Sequence, residues 1–169
     1  MGTFAEWLQT TPLSVTIQSV SWVVPLVQSI HIVTIGVVFV SSLMIALRVL
    51  GRIRADEPFE AVWNRFAPWM WGGLVVMLVS GGTLVIGEPV RQATALSFWM
   101  KMTLVIIGVL GTAFFGRSLR ATPIVAPARF SAAARTGAVA LIVLWLAIIF
   151  LGRAIAYDKE VWGSFSLHA

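Results

Sequence analysis

Residues 22–47 read WVVPLVQSIHIVTIGVVFVSSLMIAL, and their only ionisable side chain is that of His31. A stretch of about 20 mainly apolar residues is long enough to cross the hydrocarbon core of a bilayer as an α-helix. Three more stretches of spanning length follow, at residues 66–87, 97–116 and 136–156. The sequence therefore predicts an all-α, polytopic membrane protein, built as a bundle of four transmembrane helices.

The composition agrees with a membrane protein and excludes several other classes. Hydrophobic residues make up 59% of the 169 positions and charged residues 11%, and the mean hydropathy is +0.92. This length suits one membrane domain, residues 1–169, and the absence of cysteine excludes disulfides, thiolate metal ligands and covalently attached c-type haem. The basic residues lie in short loops beside apolar segments, where they act as topology signals, so we expect no nucleic-acid binding.

The segments at the two ends of the chain are predicted to lie outside the hydrocarbon core. Residues 1–21 lack the basic start and the apolar centre of a signal peptide, so we expect them to be retained. We predict one interfacial helix over residues 1–21, in which Thr11 followed by Pro12 is typical of a helix start and the pattern beyond it is that of a helix lying in the membrane interface. Residues 157–169 form the predicted outer tail.

Charge distribution predicts the orientation in the membrane. The loops after the first and third spans carry eight of the twelve basic residues, and the opposite side carries four. Because cytoplasmic loops are enriched in Lys and Arg, we expect both termini outside. The predicted location is a bacterial inner membrane, with both termini in the periplasm.

Three basic or ionisable side chains fall in the outer half of the predicted bundle, on three different spans: His31, Lys101 and Arg153. Ionisable groups at membrane depth usually face the bundle interior and carry function. We therefore expect these three to meet in one cavity, although Lys101 and Arg153 are close enough to helix ends to extend to the headgroups instead. His31 also has a structural alternative, a hydrogen bond to Gln28, to Ser29 or to another helix.

Small residues line the predicted second and third spans. Gly108 and Thr112 form a pair at spacing four, and glycines recur at 72–73 and 81–82. Small faces allow close helix packing, and they also admit a flat macrocycle. The pattern leaves both interpretations open.

Several short stretches carry a resemblance that covers nearly the whole chain: Thr11–Leu13, Val27–His31, Leu47–Gly51, Phe98–Lys101 and Gly152–Tyr157. They resemble an uncharacterised bacterial family of four-helix membrane proteins. More distantly, a His in the first span and a Lys opening the third resemble CopD-type copper-uptake domains and HemJ-type haem-binding membrane proteins. The HemJ resemblance implies haem b on His31 and a functional role for Lys101, but this chain lacks the further histidines of that type.

The leading prediction is a small haem-b membrane protein, or membrane subunit, that handles electrons near the outer face. His31 would supply an axial nitrogen, and Lys101 with Arg153 would neutralise the propionates. Gln28 and Met77 complete the predicted cofactor-binding set, while the second axial ligand stays open between Met77, His168 and none. The expected partners are a periplasmic oxidoreductase or a quinone, with the chain as a homo-oligomer or a complex subunit.

An alternative function needs no cofactor. A transport or scaffold protein would use His31, Lys101 and Arg153 to bind a metal or an anionic solute. No catalytic residue is predicted, because glycine pairs inside apolar helices do not form phosphate loops and the spans hold no paired carboxylates.

Overall fold

The computed structural model describes residues 2–121 and 130–163, and its regular structure is entirely helical. The helices in chain order are α1 (Gly2–Gln9), α2 (Pro12–Ser19), α3 (Val23–Val49), α4 (Phe59–Gly87), α5 (Pro89–Thr94), α6 (Leu96–Arg120), α7 (Ala132–Ala154) and α8 (Asp158–Trp162), with a 3₁₀ turn at Ile155–Tyr157 between the last two. We call the end of the bundle that carries His31, Lys101 and Arg153 the outer end, and the arginine-rich opposite end the inner end.

Four helices are long and apolar enough to cross a membrane, which confirms the predicted fold class. They are α3, α4, α6 and the stretch Ala132–Trp162 that includes α7. The largest difference from the predicted spans is at α4, which begins at Phe59 rather than at residue 66. Glu60, Asn64 and Arg65 make this first part too polar for a span, but it is helical because Phe59 and Trp63 pack into the core.

The four long helices pack as two pairs, α3 with α4 and α6 with α7, and α3 also packs against α7. Contact between α4 and α6 is sparse. The core is concentrated towards the inner end, where the buried residues of α3 include Val38, Ile45 and Val49. His31 lies on the same stripe of α3 but is only half-buried, because the helices enclose less of the outer half.

The N-terminal residues cover the outer end as two short helices rather than the single predicted one. The break lies at Thr10–Thr11, where the Thr11 side chain accepts a hydrogen bond from the Ser14 amide and Pro12 occupies the first turn of α2. Ser14 is fully buried, and its hydroxyl donates to the Ile86 carbonyl at 2.7 Å. This contact attaches α2 to the outer end of α4, while α1 packs against α5.

The inner end of α3 is held by a buried arginine. Arg48 is 1% exposed, and its guanidinium donates two hydrogen bonds to the Glu57 carbonyl, at 2.8 and 2.6 Å. The same guanidinium lies 5.4 Å from the ring centroid of Phe130. In the sequence Arg48 is only one of the basic residues that act as topology signals, whereas in the structure it attaches the loop between α3 and α4.

Candidate functional site

His31 projects from α3 onto α4, where it contacts a serine. The imidazole Nδ1 lies 2.8 Å from the Ser80 hydroxyl oxygen, and that hydroxyl lies 2.7 Å from the Val76 carbonyl of its own helix. When this hydroxyl donates its proton to the Val76 carbonyl, it accepts a hydrogen bond from Nδ1–H of His31. In that arrangement the imidazole has a free lone pair on Nε2, which is the orientation that a ligating histidine usually has.

A glycine beside Ser80 makes room for the imidazole ring. A Cβ atom built at Gly81 would lie 3.2 Å from His31 Cε1, so a larger side chain there would press on the ring. The predicted structural partners of His31 were Gln28, Ser29 and another helix. The observed hydrogen bond is to another helix, through Ser80 of α4. Ser29 instead donates to Pro25 of its own helix at 2.8 Å.

Lys101 lines a small cavity in the outer half of the bundle. The cavity has a volume of about 20 Å³, and its walls come from α3, α4, α6 and α7: Ile35, Val38, Phe39, Met77, Lys101, Trp145, Ile148, Ile149 and Gly152. A volume of at least 10–15 Å³ on this measure is enough for one water molecule. The cavity is therefore large enough for a water or a monatomic ion.

Two of the side chains lining this cavity carry N–H donors without acceptors. Trp145 is 2% exposed, and its indole Nε1 has no hydrogen-bond partner among the residues that the structure describes. The Lys101 ammonium likewise forms no hydrogen bond or ion pair with any residue that the structure describes. The other lining side chains are apolar, apart from the weakly accepting thioether of Met77. Trp145 was not predicted as a site residue, because nothing in the adjacent sequence distinguishes an unpaired indole from a packed one.

The structure brings together only part of the predicted site. Lys101 and Met77 share the cavity, whereas His31 is not among the residues that line it. Arg153 is exposed instead, and its guanidinium lies 3.3 Å from the Tyr157 hydroxyl and 5.3 Å from the centroid of that ring. Gln28 is also exposed, and it makes no hydrogen bond to a described residue.

The ligands available for a metal ion are few. Within residues 2–121 and 130–163 no three His, Cys, Asp or Glu side chains lie together as a group that could hold a metal. A metal ion on His31 would therefore need ligands other than such a group, and the Met77 thioether is one candidate. His168, considered as a second ligand, lies outside the described residues.

A family model of a family of unknown function (DUF6644) matches residues 4–158. The chain belongs to this family. The match covers all four long helices and includes His31, Ser80, Lys101 and Trp145, so the whole candidate site belongs to the DUF6644 domain. Comparison with curated proteins and with solved structures returns no match.

Proposed function

We propose that this DUF6644 protein binds a small anionic solute in the outer half of its bundle, as a transport or scaffold protein of the membrane. The observation that carries the proposal is the cavity lined by Lys101 and Trp145 among apolar residues, because the ammonium of the first and the indole N–H of the second have no hydrogen-bond acceptor among the described residues. Both donors lack a hydrogen-bond acceptor. The cavity volume of about 20 Å³ limits a bound acceptor to the size of a halide ion.

Electrostatics favours an anion over a water molecule in this position. Removing an ammonium from water costs several kcal/mol unless a counter-charge accompanies it. A water molecule would accept from both donors, but its own protons would meet only apolar side chains and the Met77 sulfur. An anion accepts both hydrogen bonds, needs no acceptor of its own and neutralises the Lys101 charge.

Chloride is expected to stabilise the purified protein through Lys101. A ligand that binds only the folded state raises the free energy of unfolding by about 2.7 kcal/mol at one hundred times its dissociation constant. We therefore expect a higher melting temperature in chloride than in gluconate, measured by thermal unfolding in detergent. Lys101→Met, which keeps the length and removes the charge, should abolish this difference, and Trp145→Phe should reduce it.

The matched control is Lys159→Met, because Lys159 is an exposed lysine on α8 and does not line the cavity. This variant should keep the full difference between chloride and gluconate. Lys101→Met itself removes a half-buried charge, so the comparison uses the difference between the two salts and not the melting temperature alone. An equal salt difference in the wild type and in Lys101→Met would contradict the proposal.

A second candidate function, haem-b binding with electron handling near the outer face, is favoured by the orientation of His31. The hydrogen bond to Ser80 leaves Nε2 free, as an axial ligand requires. The available space argues against haem. Pockets for cofactors and other small molecules measure several hundred Å³, and the cavity here is about 20 Å³. One chain thus offers an axial nitrogen without an enclosed pocket, and a second copy or another subunit would have to cover the macrocycle.

A difference spectrum tests this second candidate. If His31 ligates haem, protein purified from haem-replete cells shows a b-type reduced-minus-oxidised spectrum, and His31→Ala loses it entirely. Ser29→Ala, on an exposed position of the same helix, should retain the spectrum. A ratio of one haem to two chains is expected if a second copy completes the site. A colourless, folded wild-type protein would exclude haem at His31.

The proposed location is a bacterial inner membrane with both termini in the periplasm. The excess of arginine at the inner end supports this orientation. The anion site and His31, which both lie in the outer half of the bundle, would then be nearer the periplasm. In the haem alternative, the partner would be a periplasmic oxidoreductase or a quinone.

A further inference from the structure

A second and larger groove lies at the inner end of the bundle, between α4 and α6. Its volume is about 480 Å³, and it is lined by Trp63, Asn64, Ala67, Pro68 and Trp71 of α4 and by Ala113, Arg117 and Arg120 of α6. None of these residues belongs to the candidate site at the outer end. The groove therefore needs its own explanation.

The groove exists because α4 and α6 meet closely at one point. A Cβ atom at Gly116 would lie 2.0 Å from Cη2 of Trp63, so the indole ring lies directly on the α6 backbone. The Arg120 guanidinium lies 5.1 Å from the centroid of the same ring, and its Nε donates to the Gly116 carbonyl at 3.2 Å. These contacts place Arg120 at the wall of the groove.

The charge of the groove is positive and uncompensated. Neither Arg117 nor Arg120 forms an ion pair within the part of the chain that the structure describes. Glu57, an acid at the same end, is paired with Arg54 and Arg65. Two guanidinium groups thus face a cleft that also has apolar walls and two indole rings.

We propose that this groove binds the headgroup of an anionic phospholipid from the leaflet at the inner end. Guanidinium groups bind phosphate oxygens through paired hydrogen bonds, and basic pockets between transmembrane helices suit such headgroups. Trp63 and Trp71 have the ring type that is enriched at membrane interfaces. Ala67, Pro68 and Ala113 supply apolar lining against which the start of an acyl chain can pack. The proposal is independent of the solute that the outer site binds.

Native mass spectrometry of the detergent-purified protein tests the proposal with defined lipids. Phosphatidylglycerol is expected to bind more tightly than phosphatidylcholine. Each basic residue near a membrane surface contributes about 1 kcal/mol to anionic lipid binding. Arg117→Gln should therefore lower the affinity for phosphatidylglycerol about fivefold, and the double variant Arg117→Gln with Arg120→Gln should lower it roughly thirtyfold. Phosphatidylcholine binding should change little in either variant.

The control removes the same charge elsewhere at the inner end. Arg52 and Arg135 are exposed and lie outside the groove, so Arg52→Gln with Arg135→Gln should leave the lipid preference intact. Arg117→Gln alone is informative even if Arg120→Gln disturbs the packing on Trp63. The proposal is overturned by an equal loss in the control, by no preference for phosphatidylglycerol, or by inorganic phosphate displacing the lipid at equal concentration.

Discussion

Gly116→Ala is expected to lower the free energy of unfolding by about 2–3 kcal/mol, the cost of forcing an extra carbon into a packed contact. The new Cβ would lie 2.0 Å from Cη2 of Trp63, and the ring has little freedom to move away. Trp63 is 5% exposed, its centroid lies 6.0 Å from that of Phe59, and Arg120 covers it. Thermal or denaturant unfolding in detergent measures the loss.

Gly72→Ala is the matched control for this prediction. Gly72 is exposed on α4, and a Cβ built there meets no atom within 4 Å. Alanine has the higher helix propensity, so this variant should unfold no more easily than the wild type. If Gly116→Ala is as stable as Gly72→Ala, then α4 and α6 do not meet through Trp63 as described.

Asp158→Ala is expected to lower the free energy of unfolding by about 3 kcal/mol, because it removes a buried cap from α6. Asp158, the first residue of α8, is 3% exposed. Its carboxylate accepts hydrogen bonds from the Leu96 amide at 3.1 Å, the Ser97 amide at 2.9 Å and the Ser97 hydroxyl at 2.7 Å. The substitution leaves these donors unpaired and frees the C-terminal helix from α6.

Hydrogen exchange distinguishes this local effect from general destabilisation. The amides of Leu96 and Ser97 should exchange faster in Asp158→Ala, and the indole of Trp162, which donates to the Ser97 hydroxyl at 2.8 Å, should become more exposed. Glu160→Ala removes the same charge from an exposed position of α8 and should change neither measurement. Unaltered exchange at Ser97 in Asp158→Ala would contradict the capping role.

Structural features that depend on residues close together in the chain were predictable from the sequence. The four spans follow from apolar length, and the start of α2 follows from Thr11 and Pro12, since both a spanning helix and a helix cap satisfy their backbone groups within a few residues of chain. The predicted helix bounds differed from the structure in two places. Packing of Phe59 extends α4 beyond the predicted span, and the single predicted N-terminal helix is two helices, α1 and α2.

The candidate site was predictable only in part, for a different reason. His31 and Lys101 stand out in any sequence because ionisable groups are rare in spans. The residues that surround them do not stand out in the sequence. Ser80 lies 49 positions from His31, and Trp145 is one of eight tryptophans. For Arg153 the sequence left two alternatives, an interior or a surface position, and the exposed contact with Tyr157 favours the surface.

A helical membrane protein with four spans could be predicted from the sequence alone, because a bilayer requires every backbone polar group to be bonded within its own helix. The contacts between side chains could not be, because they depend on how the helices pack. The pairing of His31 with Ser80, the cavity that Lys101 shares with Trp145, and the cap that Asp158 places on Ser97 all join residues far apart in the chain. These contacts depend on helix rotation and spacing, which close packing of whole helix faces sets and hydropathy does not specify.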